Sequence, residues 1–218
     1  MMMGIFLTGA IRSGTSWVFS LLAERISPSY LEQFDYFELE PRRRLLDGHD
    51  DFLFKINEDM RHLPALHETF PESKALVILR HPLESLRSIA QPHPESKPFR
   101  PFRDLKEKWV RSGDDGLFPA AIRRLESYFP EETLAILDEG RDWLLVVRYD
   151  DLLSDFAFSV SRLLAFCGKG SIVPKGFEPK STPNQGVSLT DFVEEKQDLI
   201  LSSSLPTLCD RLGYSLSK

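Results

Sequence analysis

Apolar residues along this chain come in short unbroken runs, and longer-period patterns separate them. Ile5-Phe6-Leu7 is one such run, ended by Gly9; Phe52-Leu53-Phe54 is a second, Ala75 to Leu79 the clearest, and Trp143 to Val147 a fourth. Short continuous runs of this kind mark strands buried on both faces, as in a parallel sheet. Between them the period lengthens. Val18, Leu21, Leu22 and Ile26 share one face of a helix predicted over Thr15 to Ile26, which Ser27-Pro28 ends. Met60, Leu63, Leu66 and Phe70 predict a second helix closed by Pro71. Leu83, Leu86 and Ile89 predict a third, opened by Pro82 in its first turn, and Phe156 to Cys167 a fourth, ended by Gly168. Strands alternating with helices predict an α/β fold, three-layer α/β/α with a central parallel sheet.

Some stretches break this rhythm. Pro92, Pro94, Pro98 and Pro101 cannot sit inside regular elements, so residues 91–116, with a charged helix around Asp104 to Arg111, read as a surface excursion or lid. Lys169, Lys175 and Lys180 lie among Gly, Pro and Ser in a second long loop. Residues 28–51 show no clear period; Arg42-Arg43-Arg44 there reads as a solvated loop.

Composition narrows the picture. With 218 residues, 42% of them hydrophobic, the chain supports one core, and a single domain over 1–218 is expected. A net charge of −6 argues against a nucleic-acid partner, so an anionic ligand must be held by local donors. Cys167 and Cys209 are too few for a disulfide framework and fit a reducing, cytoplasmic compartment. No run approaches the roughly 20 apolar residues of a membrane span. The N-terminus lacks the basic segment and cleavage site of a signal peptide. His62 and His67, or His49 with Asp50 and Asp51, lack zinc-site spacing, and no metal is expected.

The chemistry concentrates in two segments, each following a predicted strand. Gly9-Ala10-Ile11-Arg12-Ser13-Gly14-Thr15-Ser16-Trp17 joins a strand to a helix, where turned backbone N–H groups and a helix N-terminus bind phosphate. Its glycine spacing matches a Walker A loop, but Thr15 stands where that loop needs Lys. Taken alone, the segment also fits a tight turn without a ligand. Arg80-His81-Pro82-Leu83-Glu84-Ser85-Leu86-Arg87-Ser88 starts where Arg80 emerges from the sheet edge, the place at which open α/β sheets bind ligands. Alone, it also fits an ion-pair arginine and an ordinary serine.

Together, Arg-Ser-Gly-Thr-Ser-Trp after an N-terminal strand and strand-Arg-x-Pro-x-x-Ser-x-x-Ser resemble the sulfotransferases. Arg148-Tyr149-Asp150-Asp151-Leu152 resembles a further strand-to-helix junction of that family, and Leu212-Gly213-Tyr214 its closing signature. The resemblance implies a P-loop-like nucleotide fold with 3′-phosphoadenosine-5′-phosphosulfate (PAPS) as co-substrate. It assigns Arg12, Ser13, Gly14, Thr15 and Ser16 to the 5′-phosphosulfate, Arg80 and Ser88 to the 3′-phosphate, and Trp17 and Tyr149 to the base. Lys55 matches a lysine that contacts the leaving oxygen, with Arg12 beside it. Two residues on, where familiar members carry a histidine base, stands Asn57, which takes no proton at neutral pH. Glu58 is then the candidate base, and Glu32, Glu38, Asp59 and His62 are its rivals. The acceptor, whether a small molecule, a saccharide or a lipid, is not legible, nor is the oligomeric state. A kinase using ATP and a nucleotide-binding module without chemistry are the competing readings.

Overall fold

The computed structural model describes residues 3–26, 29–34, 51–56, 60–90, 117–171, 173 and 188–216. They form two compact units, Met1–Arg80 with Glu131–Ser181, and His81–Pro130 with Thr182–Lys218.

The first unit runs β1 (Met3–Gly9), α1 (Thr15–Ala23), β2 (Ser29–Phe34), β3 (Asp51–Ile56), a 3-10 turn (Met60–His62), α2 (Leu63–Thr69) and β4 (Lys74–Leu79). The second unit then begins with α3 (Pro82–Ala90) and α4 (Leu117–Glu126). The first resumes with α5 (Glu131–Asp138), β5 (Leu144–Arg148), α6 (Tyr149–Ser154) and α7 (Phe156–Phe166). The second closes with α8 (Leu189–Glu195), α9 (Gln197–Leu201) and α10 (Leu205–Arg211).

The strands form one sheet in the order β2-β3-β1-β4-β5, and every pairing is parallel. Alternation along the strands builds both faces. Ile5, Leu7, Leu53, Leu76, Ile78, Leu145 and Val147 join Val18, Leu22, Val160, Leu163 and Leu164 from α1 and α7 in one apolar layer. On the opposite face Phe6, Phe52, Phe54 and Phe70 form an aromatic cluster, with Phe6 and Phe70 5.7 Å apart and Phe52 edge-on to Phe54 at 5.3 Å. Each such pair adds about 0.5–1.5 kcal/mol beyond its buried area. This is the three-layer α/β/α arrangement expected.

Three details differ from the sequence reading. β2 was not anticipated, because Ser-Tyr-Leu-Glu-Gln-Phe offers neither an apolar run nor an alternation. α1 stops at Ala23, and Ile26 is buried from the turn that follows. β5 is shifted by one residue, to Leu144–Arg148, and Tyr149 then opens α6 at the strand-to-helix junction expected. The proline-rich excursion, Arg42 to Arg44, and Lys175 and Lys180 lie outside the described residues.

In the second unit, Phe118 of α4 and Phe192 of α8 meet edge-on at 5.9 Å, and Leu83, Leu86, Leu205 and Cys209 are fully buried. Among the described residues no helix is long and apolar enough to cross a membrane.

Candidate active site

Strand order explains why distant segments converge. The chain leaves β1 for β2, returns to β3, then crosses to β4 on the far side of β1. In open parallel sheets such a reversal marks the C-terminal strand ends as the side where ligands bind. The loop from Gly9 to Gly14 leaves β1, Arg80 leaves β4 and Tyr149 follows β5, the next strand over. On the other side, β1–β3 register sets Lys55 opposite Leu7.

The first loop is held open by its backbone. Ser13 N–H donates to the Ala10 carbonyl at 3.1 Å, and Arg12 takes a left-handed φ of 63°. Gly14 is the N-cap of α1 at φ 96°, and no side chain caps the helix. A Cβ there would lie within the ring edge of Tyr149, in contact with its Cδ2 and Cε2. The Gly14 carbonyl accepts from the N–H groups of Trp17 at 3.0 Å and Val18 at 3.2 Å. The N–H groups of Thr15 and Ser16, at the first two helical positions, meet no acceptor among the described residues. Two buried hydroxyls, Thr8 Oγ1 and Ser13 Oγ, lack a partner there too. Buried polar groups are rarely left unpaired, and these donors cluster around one loop, which makes them candidate contacts for an anion.

Cations complete it. Lys55, next to last in β3, is only 9% exposed. Its Nζ donates to Ser16 Oγ at 2.7 Å, and burial lowers its pKa from the ordinary lysine value. Arg80 Nη1 donates to the Arg12 carbonyl at 3.0 Å, and its guanidinium lies over the Tyr149 ring at 4.9 Å. Burial, and then the nearby charge of Arg80, lowers the pKa of Arg12. The charges of Arg12 and Arg80 thus disfavour each other, and an anion beside them would favour both.

Trp17 stacks on Phe156 at 5.8 Å and meets Tyr149 edge-on at 6.0 Å. Its Nε1 is buried without a described acceptor.

The first unit thus brings together Arg12, Ser13, Gly14, Thr15, Ser16, Trp17, Lys55, Arg80 and Tyr149. Ser88 belongs to the second unit, on α3, and is buried. Asn57, Glu58, Asp59 and Glu38 lie outside the described residues, as does the side chain of Glu32; His62 sits half-buried in the 3-10 turn. Thr8 was missed; its only signal is a hydroxyl residue at the end of an apolar strand. No group of three or more His, Cys, Asp or Glu among the described residues could hold a metal ion.

The profile of the Sulfotransferase family matches residues 24–170, about two thirds of the chain. The chain belongs to the sulfotransferase family. The match begins after the first loop, so the reading of Gly9 to Trp17 rests on its geometry. Among solved structures, the sulfotransferase domain from the curacin biosynthetic pathway is 15% identical with a TM-score of 0.53, each chain covering 99% of the other. At that identity the likeness shows a sulfotransferase fold. A sulfotransferase from Alicyclobacillus acidocaldarius is 18% identical over 98% of this chain and 96% of its own, with a TM-score of 0.46. A mouse sulfotransferase complexed with PAP is 19% identical with a TM-score of 0.45; the match covers 89% of this chain and 63% of the mouse one. No curated protein sequence matches the chain.

Proposed function

We propose that this sulfotransferase moves a sulfuryl group from PAPS to a hydroxyl or amine of a small-molecule, saccharide or lipid acceptor. The observation that carries the reading is the N-terminus of α1, which no side chain caps, with the Ser13 hydroxyl beside it lacking a partner among the described residues and the cations of Arg12, Lys55 and Arg80 on the same and neighbouring strand ends. These groups are nearly all donors, and two aromatic rings adjoin them, which suits a phosphorylated adenosine. When bound, PAPS supplies the sulfuryl group and takes the leaving charge on its 5′-phosphate.

Arg12, Ser13, Gly14, Thr15 and Ser16 would hold the phosphosulfate, Arg80 and Ser88 the 3′-phosphate, and Trp17 and Tyr149 the base. The Lys55–Ser16 bond keeps an ammonium at the helix N-terminus, supplying from β3 the charge that Thr15 omits from the loop. Arg12 adds a second donor to the leaving oxygen. Glu58 would take the acceptor's proton. The whole chain, 1–218, would act as one catalytic domain. The two free, buried cysteines support a reducing, cytoplasmic setting.

The test is transfer of radiolabelled sulfate from PAPS across a panel of alcohols, phenols and amines. Labelled product and release of adenosine 3′,5′-bisphosphate are expected. Transfer of the terminal phosphate of ATP to the same panel, without sulfate transfer, would overturn the reading.

A further inference from the structure

The closing Leu212-Gly213-Tyr214 takes no part in the cradle described above, yet it is tightly built. Helix α10 ends at Arg211, and Gly213 turns the chain at φ 69°, a left-handed conformation open to glycine. Tyr214 N–H donates to the Cys209 carbonyl at 2.8 Å and Gly213 N–H to the Asp210 carbonyl at 2.9 Å, the paired reverse bonds of a Schellman turn. The turn sends the buried Tyr214 ring against His81, with centroids 4.9 Å apart, and sets the Ser215 carbonyl 2.8 Å from His81 Nε2.

His81 is itself the N-cap of α3. Its carbonyl accepts from Ser85 N–H at 3.0 Å, and Pro82 fills the first helical position, where a missing N–H costs nothing. His81 Nδ1 lies 3.2 Å from the Leu83 amide. A backbone N–H can only donate, so Nδ1 is the acceptor and the ring proton sits on Nε2, donated to Ser215. One imidazole both caps the helix and holds the tail, and each bond selects the tautomer the other needs. His81 is 2% exposed, so no water replaces either partner without the packing opening.

We propose that the C-terminal turn is a latch which, through His81, fixes helix α3 and with it Ser88, the hydroxyl assigned to the 3′-phosphate. His81 is on this account a positioning residue; it touches neither nucleotide nor acceptor. The inference rests on the nucleotide reading above and extends it to residues outside the cradle. Ser88 lies about two turns along a nine-residue helix, so loosening the helix start displaces it.

Two variants test it: His81→Asn, whose Oδ1 can keep the Leu83 cap while the tail bond is lost, and a chain ended after Gly213. For each, dissociation constants are measured for adenosine 3′,5′-bisphosphate and adenosine 5′-phosphate, together with hydrogen exchange of the Leu83 amide. The latch predicts a loss of about fivefold or more for the bisphosphate, the order expected from one lost buried hydrogen bond. Adenosine 5′-phosphate should stay within about twofold of wild type, and Leu83 exchange should quicken in the shortened chain. If the shortened chain does not fold, His81→Asn alone decides. Unchanged selectivity in a folded variant overturns the proposal. If the wild type itself shows no preference for the bisphosphate, the nucleotide reading has failed; Leu83 exchange then decides whether the latch exists, and unchanged exchange overturns it.

Discussion

Replacing Gly14 by Ala isolates the close approach on which the cradle depends. Two costs add. Gly14 sits at φ 96°, where any L side chain strains the backbone by about 1–2 kcal/mol. The new Cβ also lands against Cδ2 and Cε2 of Tyr149, and overpacking of that kind costs about 1–3 kcal/mol. The sum, about 2–5 kcal/mol, is a large share of a total stability of about 5–15 kcal/mol. The terms separate in a double-mutant cycle. With Tyr149→Ala the ring is gone and only the backbone part, about 1–2 kcal/mol, should remain, leaving a coupling of about 1–3 kcal/mol. Urea unfolding of the wild type, both single variants and the double variant measures this. Equal costs of Gly14→Ala in the two backgrounds, or no cost in either, would refute the contact.

Lys55→Ala should depress turnover while changing affinity for adenosine 3′,5′-bisphosphate only modestly, since the ammonium acts on charge that grows during transfer. Burial lowers the Lys55 pKa in the folded state, so the unfolded chain binds that proton more tightly. Stability should therefore rise as pH climbs from the lowered value toward 10.5, and Lys55→Met should abolish that rise in urea midpoints. Arg80→Ala should weaken adenosine 3′,5′-bisphosphate roughly ten- to a hundredfold and adenosine 5′-phosphate far less; equal losses would make Arg80 structural. Glu58→Gln should lower turnover more than Asp59→Asn, partly relieved by a more acidic acceptor; near wild-type turnover in Glu58→Gln would move the base elsewhere. Burial pushes the thiols of Cys167 and Cys209 up to about 12, so alkylating reagents at about pH 8 should label neither until the chain unfolds.

What the sequence disclosed follows from how local each signal is. β1, β4 and β5 are apolar runs because both their faces are covered, and such runs can be read from neighbours alone. The loop from Gly9 to Gly14 is equally local: its left-handed cap needs a glycine, and the glycine is visible. The Lys55–Ser16 bond is not, because it spans 39 residues and depends on β3 pairing beside β1. Nor is β2, whose residues carry no period. The helices at 117–138 and 189–211 are short and mix charged with apolar positions, so their pattern surfaces only once their buried faces are known. Tyr149 was assigned by resemblance; its close approach to Gly14 and Arg80 needed β5 to lie next to β4.

The central claim is that these strand-end residues select a 3′,5′-bisphosphorylated adenosine over a nucleoside triphosphate. Isothermal titration of the intact protein with adenosine 3′,5′-bisphosphate, adenosine 5′-phosphate and ATP with magnesium tests it most directly. The account predicts that the bisphosphate binds tightest, by about tenfold or more over the monophosphate, with no gain from magnesium. Tighter binding of magnesium-ATP than of the bisphosphate would contradict it.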